Sequence, residues 1–364
     1  MPPFIDQYLR ALVQSDASDL HLKAGRPPIM RLQGELVRME FPILSSDEYH
    51  RMLYEILNSE RQERLETFKE VDLSYHIDGV ARFRVNMFWQ RGQIGAVFRV
   101  IPFKIKTIDE LGMPEVCKRL ALLPRGLVLV TGPTGSGKST SLAAMVDHIN
   151  STKRLHVMTV EDPIEYVHSD KISIINQREL ATDTHSFADA LKHVMRQNPD
   201  VILVGEMRDL ETIQLAITAA ETGHLVFSTL HTVDCAQTID RIVDVFQPEQ
   251  QAQIRTQLSV TIQGILSQTL LPLKNAEGRT AAFEVMVATS SIRTIIRDGK
   301  THAIYHDLQT GGNLGMQTLD GSLIKLLQAG KIDYEHALSK CSNPQDFRHR
   351  AETLGLREVP LAAN

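Results

Sequence analysis

The sequence predicts an α/β protein of two domains, a small α+β domain followed by a larger domain built on a parallel sheet. Three observations predict it. A glycine-rich loop stands between an apolar run and a helical segment over residues 126–149. From 123 to 266, apolar strand-like runs alternate with helical segments, the pattern of a sheet covered by helices. Ahead of these, residues 71–101 read as three strands turning at Asp78-Gly79 and Arg91-Gly92, an antiparallel meander. The expected boundaries are 1–103 for the first domain, 104–122 for a linker and helix, and 123–364 for the second, helical from about 289.

The elements follow in order. Phe4 to Gln14 carries apolar residues at helical spacing, and Ser18–Leu22 alternates like a strand. Residues 29–37 read as a hairpin turning near Gln33-Gly34. Helices are expected at Ser46–Leu57 and Ser59–Phe68, the second with Ser59 and Gln62 as a capping box. Phe103–Thr107 is a linker and Thr107–Leu122 mostly helix. Strands are expected at 126–131, 155–160, 172–176, 200–205 and 224–230, and helices at 138–149, 186–196, 210–221, 234–245 and 249–266. Thr269–Leu273 and Thr280–Val287 are further strands, with a turn around Asn275–Gly278. Helices return in Leu319–Leu327 and Tyr334–Leu338, and the tail after Leu354 is expected to fray.

Composition narrows the function classes. The chain has 364 residues, 43% hydrophobic and 23% charged, which suffices for packed cores. A formal net charge of -5 gives no reason to expect nucleic acid as a partner. Cys117, Cys235 and Cys341 form no C-x-x-C pair, so neither a zinc site nor a disulfide framework is suggested. No apolar run approaches a membrane span, and Met1–Asp6 lacks the order of a signal peptide. A reduced, cytoplasmic setting fits.

Gly132-Pro133-Thr134-Gly135-Ser136-Gly137-Lys138-Ser139-Thr140 satisfies G-x-x-x-x-G-K-[ST], the phosphate-loop pattern. Its flanks are a buried-strand run, Gly126–Thr131, and a helix start, Ser141–Val146, as the pattern requires. Glycines let the backbone approach phosphate oxygens, and backbone N–H groups with the helix's positive end hold the anion. Lys138 is assigned to the β- and γ-phosphates of ATP and the Ser139 hydroxyl to Mg²⁺.

Four further groups carry chemistry. Asp200–Glu206 is an apolar strand ending in a carboxylate, and Glu206 is assigned to orient the attacking water. Thr159–Glu165 places Glu161, Asp162 and Glu165 just past another strand. Glu165 and Glu161 are favoured for Mg²⁺ or its waters, a solvated acidic turn being the other reading. His224 and His231 end one apolar strand and stand too far apart to share a metal. His231 is assigned as a γ-phosphate sensor on the nucleotide side, while His224 is open between function and packing. Arg84 and Arg99, with Arg82 nearby, lie on the meander as candidate fingers reaching a nucleotide across an interface. An exposed ribbon face is the alternative.

Together these segments resemble the type IV pilus retraction ATPases, the PilT family of secretion-type ATPases, over nearly the whole length. The family's Walker A, Asp, Walker B and His boxes fall on Gly132–Thr140, Thr159–Glu165, Val201–Glu206 and Gly223–Thr232, its catalytic glutamate on Glu206 and its interface arginines on Arg84 and Arg99. Three features favour retraction over extension or secretion. No additional N-terminal domain is expected. The four-cysteine zinc element of extension and secretion relatives is missing. Ser291–Asp298 is similar to the family motif Ala-Ile-Arg-Asn-Leu-Ile-Arg-Glu, agreeing at Ile292, Arg293, Ile296 and Arg297. The resemblance implies an N-terminal PAS-like domain and a RecA-like ATPase domain, assembled as a homohexamer with the hinge at Phe103–Thr107. It implies catalytic roles for Glu206, Arg84, Arg99, His231, Glu165 and His224. It also implies a cytoplasmic Mg²⁺-ATPase recruited to the membrane's inner face by a pilus platform protein, working beside a paralogous retraction ATPase. A pilus-extension or type II secretion ATPase, or an accessory retraction paralogue, is the alternative.

Overall fold

The computed structural model describes residues 3–32, 34–101, 105–275 and 278–356. The chain divides into two compact units, Met1–Lys104 with Glu165–Val167, and Ile105–Ile164 with His168–Asn364.

The first unit runs α1 (Asp6–Gln14), β1 (Asp19–Lys23), β2 (Ile29–Leu32), β3 (Glu35–Arg38), α2 (Ser46–Tyr54), α3 (Ser59–Phe68), β4 (Glu70–Ile77), β5 (Ala81–Gln90) and β6 (Gln93–Ile101). Its six strands form one antiparallel sheet in the order β3-β2-β1-β6-β5-β4. Period-two alternation decides the faces. Ala81, Phe83, Val85 and Met87 of β5 are buried in one core with Tyr8, Leu9 and Leu12 of α1, while Arg82, Arg84 and Asn86 take the other face. At the β5–β6 turn Arg91 and Gly92 both have positive φ, 49° and 74°, as a two-residue hairpin loop with right-handed strand twist requires. The capping box stands on α2, where Ser45 and Glu48 bond reciprocally. The expected box at Ser59 and Gln62 does not form. Asn58 caps α3 by accepting from the Arg61 N–H at 2.9 Å, and the Gln62 amide is spent on the Leu57 and Tyr54 carbonyls. Of the expected turn at Gln33-Gly34, Gln33 lies outside the described residues, as do Phe103 and Lys104 of the expected linker.

The second unit begins with turns, not with the expected helix over Thr107–Leu122. Thr107 and Glu110 bond each other's backbone, and only α4 (Val116–Ala121) is helical, starting just after Pro114. Then come β7 (Gly126–Thr131), α5 (Lys138–Thr152), β8 (His156–Glu161), β9 (Ile174–Glu179), α6 (Phe187–Val194), β10 (Val201–Val204), α7 (Leu210–Glu221), β11 (Leu225–Leu230), α8 (Cys235–Asp244), α9 (Pro248–Thr261), β12 (Ile262–Pro272) and β13 (Arg279–Val287). The sheet order is β13-β12-β7-β11-β10-β8-β9, parallel except for the β12–β13 hairpin. Ala276 and Glu277 of the expected turn lie outside the described residues. β7 is buried on both faces. Leu127 and Leu129 join one core, and Val128 and Val130 the other, so the sheet separates two apolar layers.

The helix expected to run to 266 stops at Thr261, and the chain turns extended at Ile262 (φ −61°, ψ 134°) to pair with β7. Ile262, Ile265 and Leu266 are fully buried there. A short apolar run suits a buried strand and a buried helix equally, and the pairing edge of β7 decides. The chain closes with α10 (Ser290–Arg297), α11 (Ile304–Thr310), α12 (Leu319–Gln328), α13 (Tyr334–Leu338) and α14 (Pro344–Thr353), the last three packed on Leu271 and Ala282 through Leu323, Ala337 and Phe347. The tail beyond residue 356 lies outside the described residues. Among the described residues, no helix is long and apolar enough to cross a membrane.

Candidate active site

The parallel strands all end at one edge, and the site grows there because β7, β11 and β10 are neighbours in that order. β7 delivers the phosphate loop. Gly137 caps α5 with φ 88° and no side-chain cap bond of its own. At Gly132, φ is 141°, and an added Cβ would stand 2.3 Å from the Gln268 carbonyl oxygen, so only glycine fits. An uncapped helix start behind positive-φ glycines fits a polyphosphate.

One contact chain joins the three strands. Lys138 Nζ donates to the Gly132 carbonyl at 2.8 Å and to the Pro133 carbonyl at 3.2 Å, and lies 3.5 Å from His231 Nδ1. His231 Nε2 lies 3.1 Å from Glu206 Oε1. A neutral ring protonated on Nε2 satisfies both contacts, accepting from the lysine and donating to the carboxylate. Arg208 Nη2 pairs with Glu206 Oε2 at 2.8 Å. Burial pushes the Glu206 carboxyl up, but the hydrogen bonds from Arg208 and His231 and the Arg208 charge more than offset it. The group is held below the usual carboxylate range. Glu206 is therefore charged, oriented and close to the loop.

The Asp-box acids are placed differently. Glu161 accepts from Thr159 Oγ1 at 2.6 Å and Gln177 Nε2 at 3.1 Å, fixing it against β9. It stands on β8, three strand spacings or about 14 Å along the sheet from β7. Its backbone lies beside Gly205, whose added Cβ would meet Glu161 Cα at 3.2 Å. Glu165 is exposed and is grouped with the N-terminal unit, so the second unit alone does not bring it to the loop. Among the described residues no cluster of three or more His, Cys, Asp or Glu side chains could hold a metal. Ser139, half-buried in the first turn of α5, remains as the hydroxyl beside the loop, which suits an ion held largely by phosphate and water.

His224 is not brought to this edge. It precedes β11, its carbonyl accepts the Gly126 N–H at the start of β7, and its Nδ1 lies 3.0 Å from the Ala219 carbonyl. The six residues of β11 set it about 20 Å from the His231 end. The direction of β11 puts it at the far edge from His231, as the spacing of the two histidines leads one to expect.

Arg84 and Arg99 are exposed and directly opposite each other on β5 and β6. They extend a cross-strand row in which Asp19 lies opposite both Arg31 and Arg99. Arg99 Nε donates to Asp19 Oδ1 at 2.7 Å, and Arg31 lies 3.8 Å from its other oxygen. Burial pushes the Asp19 carboxyl up, but the Ser18 hydroxyl and Arg99 outweigh it and hold it below its ordinary value.

Sequence reasoning missed Arg208, two residues past Glu206, whose proximity in sequence was a usable signal. It also missed Glu179, a buried carboxylate that accepts the Ile164 N–H at 3.1 Å and so fixes the Asp-box loop. Nothing local marks that residue.

The type II/IV secretion system protein family matches residues 1–329. The chain belongs to this family. Within it, the chain is 53% identical to the type IV pilus retraction ATPase PilT of Pseudomonas aeruginosa, over 94% of this chain and 99% of that protein. It is 48% identical to the twitching motility protein of Neisseria gonorrhoeae over 88% and 86% of the two chains. The type IV pilus ATPase PilU of P. aeruginosa is 38% identical over 94% and 90%. A crystal structure of the pilus retraction motor PilT with bound ADP superposes with a TM-score of 0.88 at 44% identity, covering 94% of this chain and 98% of that one. This secretion-family member therefore sits with the PilT retraction ATPases, and its second unit is RecA-like.

Proposed function

We propose that this chain is a Mg²⁺-dependent ATPase that works as a hexameric motor and retracts a type IV pilus. The observation that carries the enzymatic reading is the contact chain Lys138–His231–Glu206, which joins the phosphate loop to a charged, oriented acid across three neighbouring strands. The similarity to PilT supports the direction of work.

In this reading Lys138 and the N–H groups heading α5 bind the β- and γ-phosphates, and the Ser139 hydroxyl would hold Mg²⁺. Mg²⁺ supplies charge neutralisation across the transferring phosphoryl group. Glu206 orients the attacking water and accepts its proton, aimed by Arg208. His231, set between Lys138 and Glu206, reports to the acid whether the lysine is engaged by phosphate. Glu161 positions Gly205 and Glu206 from β8, and Glu165 acts on the waters around the metal. His224 acts at an interface and not in its own chain's site. The first unit is PAS-like, and 1–103 and 123–364 are the moving domains, joined by the linker and helix of 104–122. Arg84 and Arg99 reach a neighbouring subunit's nucleotide. The motor is cytoplasmic, drawn to the membrane by a platform protein of the pilus base, beside a paralogous retraction ATPase.

Arg84→Ala tests the interface role. Arg84 is exposed and faces another cation, so its loss should not cost folding. The variant should bind nucleotide normally and lose about 10³-fold in turnover once assembled, the effect of a removed arginine finger. A fully active variant hexamer would return Arg84 to an exposed ribbon face. The function as a whole is tested by deleting the gene and restoring it as wild type or as Glu206→Gln, then counting surface pili and scoring surface motility. Excess pili with lost motility, rescued by wild type alone, is the expected result. Loss of pili would assign the chain to extension or secretion.

A further inference from the structure

β12 brings to the phosphate loop a side chain that the reaction scheme does not use. Gln268 is 2% exposed, and both ends of its amide are engaged. Nε2 donates to the Ser136 carbonyl at 2.6 Å, and Oε1 accepts from the Ser141 hydroxyl at 2.8 Å. The neighbouring Ser267 hydroxyl lies 2.6 Å from that of Thr131, the residue before the loop. Two consecutive β12 residues thus touch the loop's approach, its last turn and the first turn of α5.

The Ser136–Gly137 contact matters because a peptide group is planar. Its carbonyl and its N–H point in opposite directions. With the Ser136 oxygen held on Gln268, the Gly137 N–H must face away from β12. Gly137, at φ 88° and ψ 21°, offers little resistance of its own to turning this plane. A primary amide carries its donor and its acceptor on separate atoms of one rigid neutral group, so a single side chain can hold the carbonyl while a serine hydroxyl fixes which way the amide points.

We propose that Gln268 is a positioning residue for polyphosphate binding: it sets the 136–137 peptide so that the Gly137 N–H is presented to the anion. The proposal rests on the loop's being a nucleotide site. Gln268→Leu removes the donor. Gln268→Glu replaces it with an oxygen set against the Ser136 carbonyl. Ser141→Ala removes only the hydroxyl that orients the amide.

The test is titration of ADP into the full-length protein by calorimetry, with thermal melting and steady-state ATPase kinetics on the same samples. Gln268→Leu and Gln268→Glu should weaken ADP binding at least about tenfold, the scale of one lost charge-directed hydrogen bond. The loss should appear in KM with kcat nearly unchanged. Ser141→Ala should shift Kd less and in the same direction. Combined with Gln268→Leu it should add nothing, because both act through one amide. A purely structural role would instead lower the melting temperature with Kd unmoved, or give additive losses, and either result overturns the proposal. Should Gln268→Leu fail to melt cooperatively, Ser141→Ala decides alone, a wild-type Kd there counting against the proposal. Wild-type protein that binds no ADP would overturn the nucleotide reading itself. Loss of binding in Lys138→Ala with wild-type binding in both Gln268 variants would overturn only the role of Gln268.

Discussion

Lys138→Ala should abolish turnover while leaving the fold intact. Lys138 is half-buried, and its ammonium is held by the Gly132 and Pro133 carbonyls of its own loop. It belongs to none of the apolar cores, so truncation leaves no cavity and exposes two carbonyls that water can reach. What disappears is the cation that stabilises the charge developing on the phosphoryl oxygens. Removing one such electrostatic contact costs about 10²–10³-fold, and a full charge lies at or beyond the upper end. kcat/KM for ATP should therefore fall by about 10³-fold or more, with the melting temperature close to wild type. Lys138→Met, which keeps the stem without the charge, should behave the same way. Wild-type turnover in either variant would remove the loop from the mechanism.

Glu206→Gln should separate binding from hydrolysis. The amide has the shape of the carboxylate and keeps a hydrogen-bonding oxygen for Arg208, so ATP affinity should stay within a few-fold of wild type. It cannot take a proton, and general-base catalysis contributes about 10²–10⁴-fold, so kcat should fall by that order. If ATP binding is lost instead, Glu206 serves the nucleotide and not the water. Acid titration gives an independent check. The folded-state carboxyl is depressed, so its contribution to stability is present above the unfolded carboxyl's range and is lost as pH falls through the lower, folded value. Activity that needs the ionised form should be flat through neutrality, with its acid limb below the ordinary carboxylate range. Arg208→Ala should move that limb upward.

The local parts of the site were legible because their chemistry is written in consecutive residues. Gly132–Thr140 declares a loop, and Val201–Glu206 declares a strand with an acid at its end. His231 could be assigned to the nucleotide side from strand direction alone. The structure adds that β11 lies between β7 and β10, and this order is what lets one imidazole touch both Lys138 and Glu206. Strand order is a long-range property, and periodicity carries little of it. The same applies to Gln268, which meets Ser136 across 132 positions of sequence. The end of α9 was misplaced because Ile262–Leu266 satisfies strand and helix equally until β7 offers an unpaired edge. Asn58 took the cap from Ser59 because the competing Gln62 amide found carbonyls of the preceding turn. His224 shows the converse: a residue type suited to chemistry, in a promising stretch, placed at the far end of its strand.

The cross-strand row on the first unit has a kinetic consequence. Arg31 and Arg99 both pair with Asp19, and Arg84 lies opposite Arg99, so a narrow strip of the sheet sets three guanidinium groups beside one carboxylate. Fields from such a strip reach about 10 Å at 0.1 M salt and about 30 Å at 0.01 M. Whatever acidic surface meets this face should be steered toward it during diffusion. The association rate should then fall as salt rises, while dissociation, governed by contacts already made, changes far less.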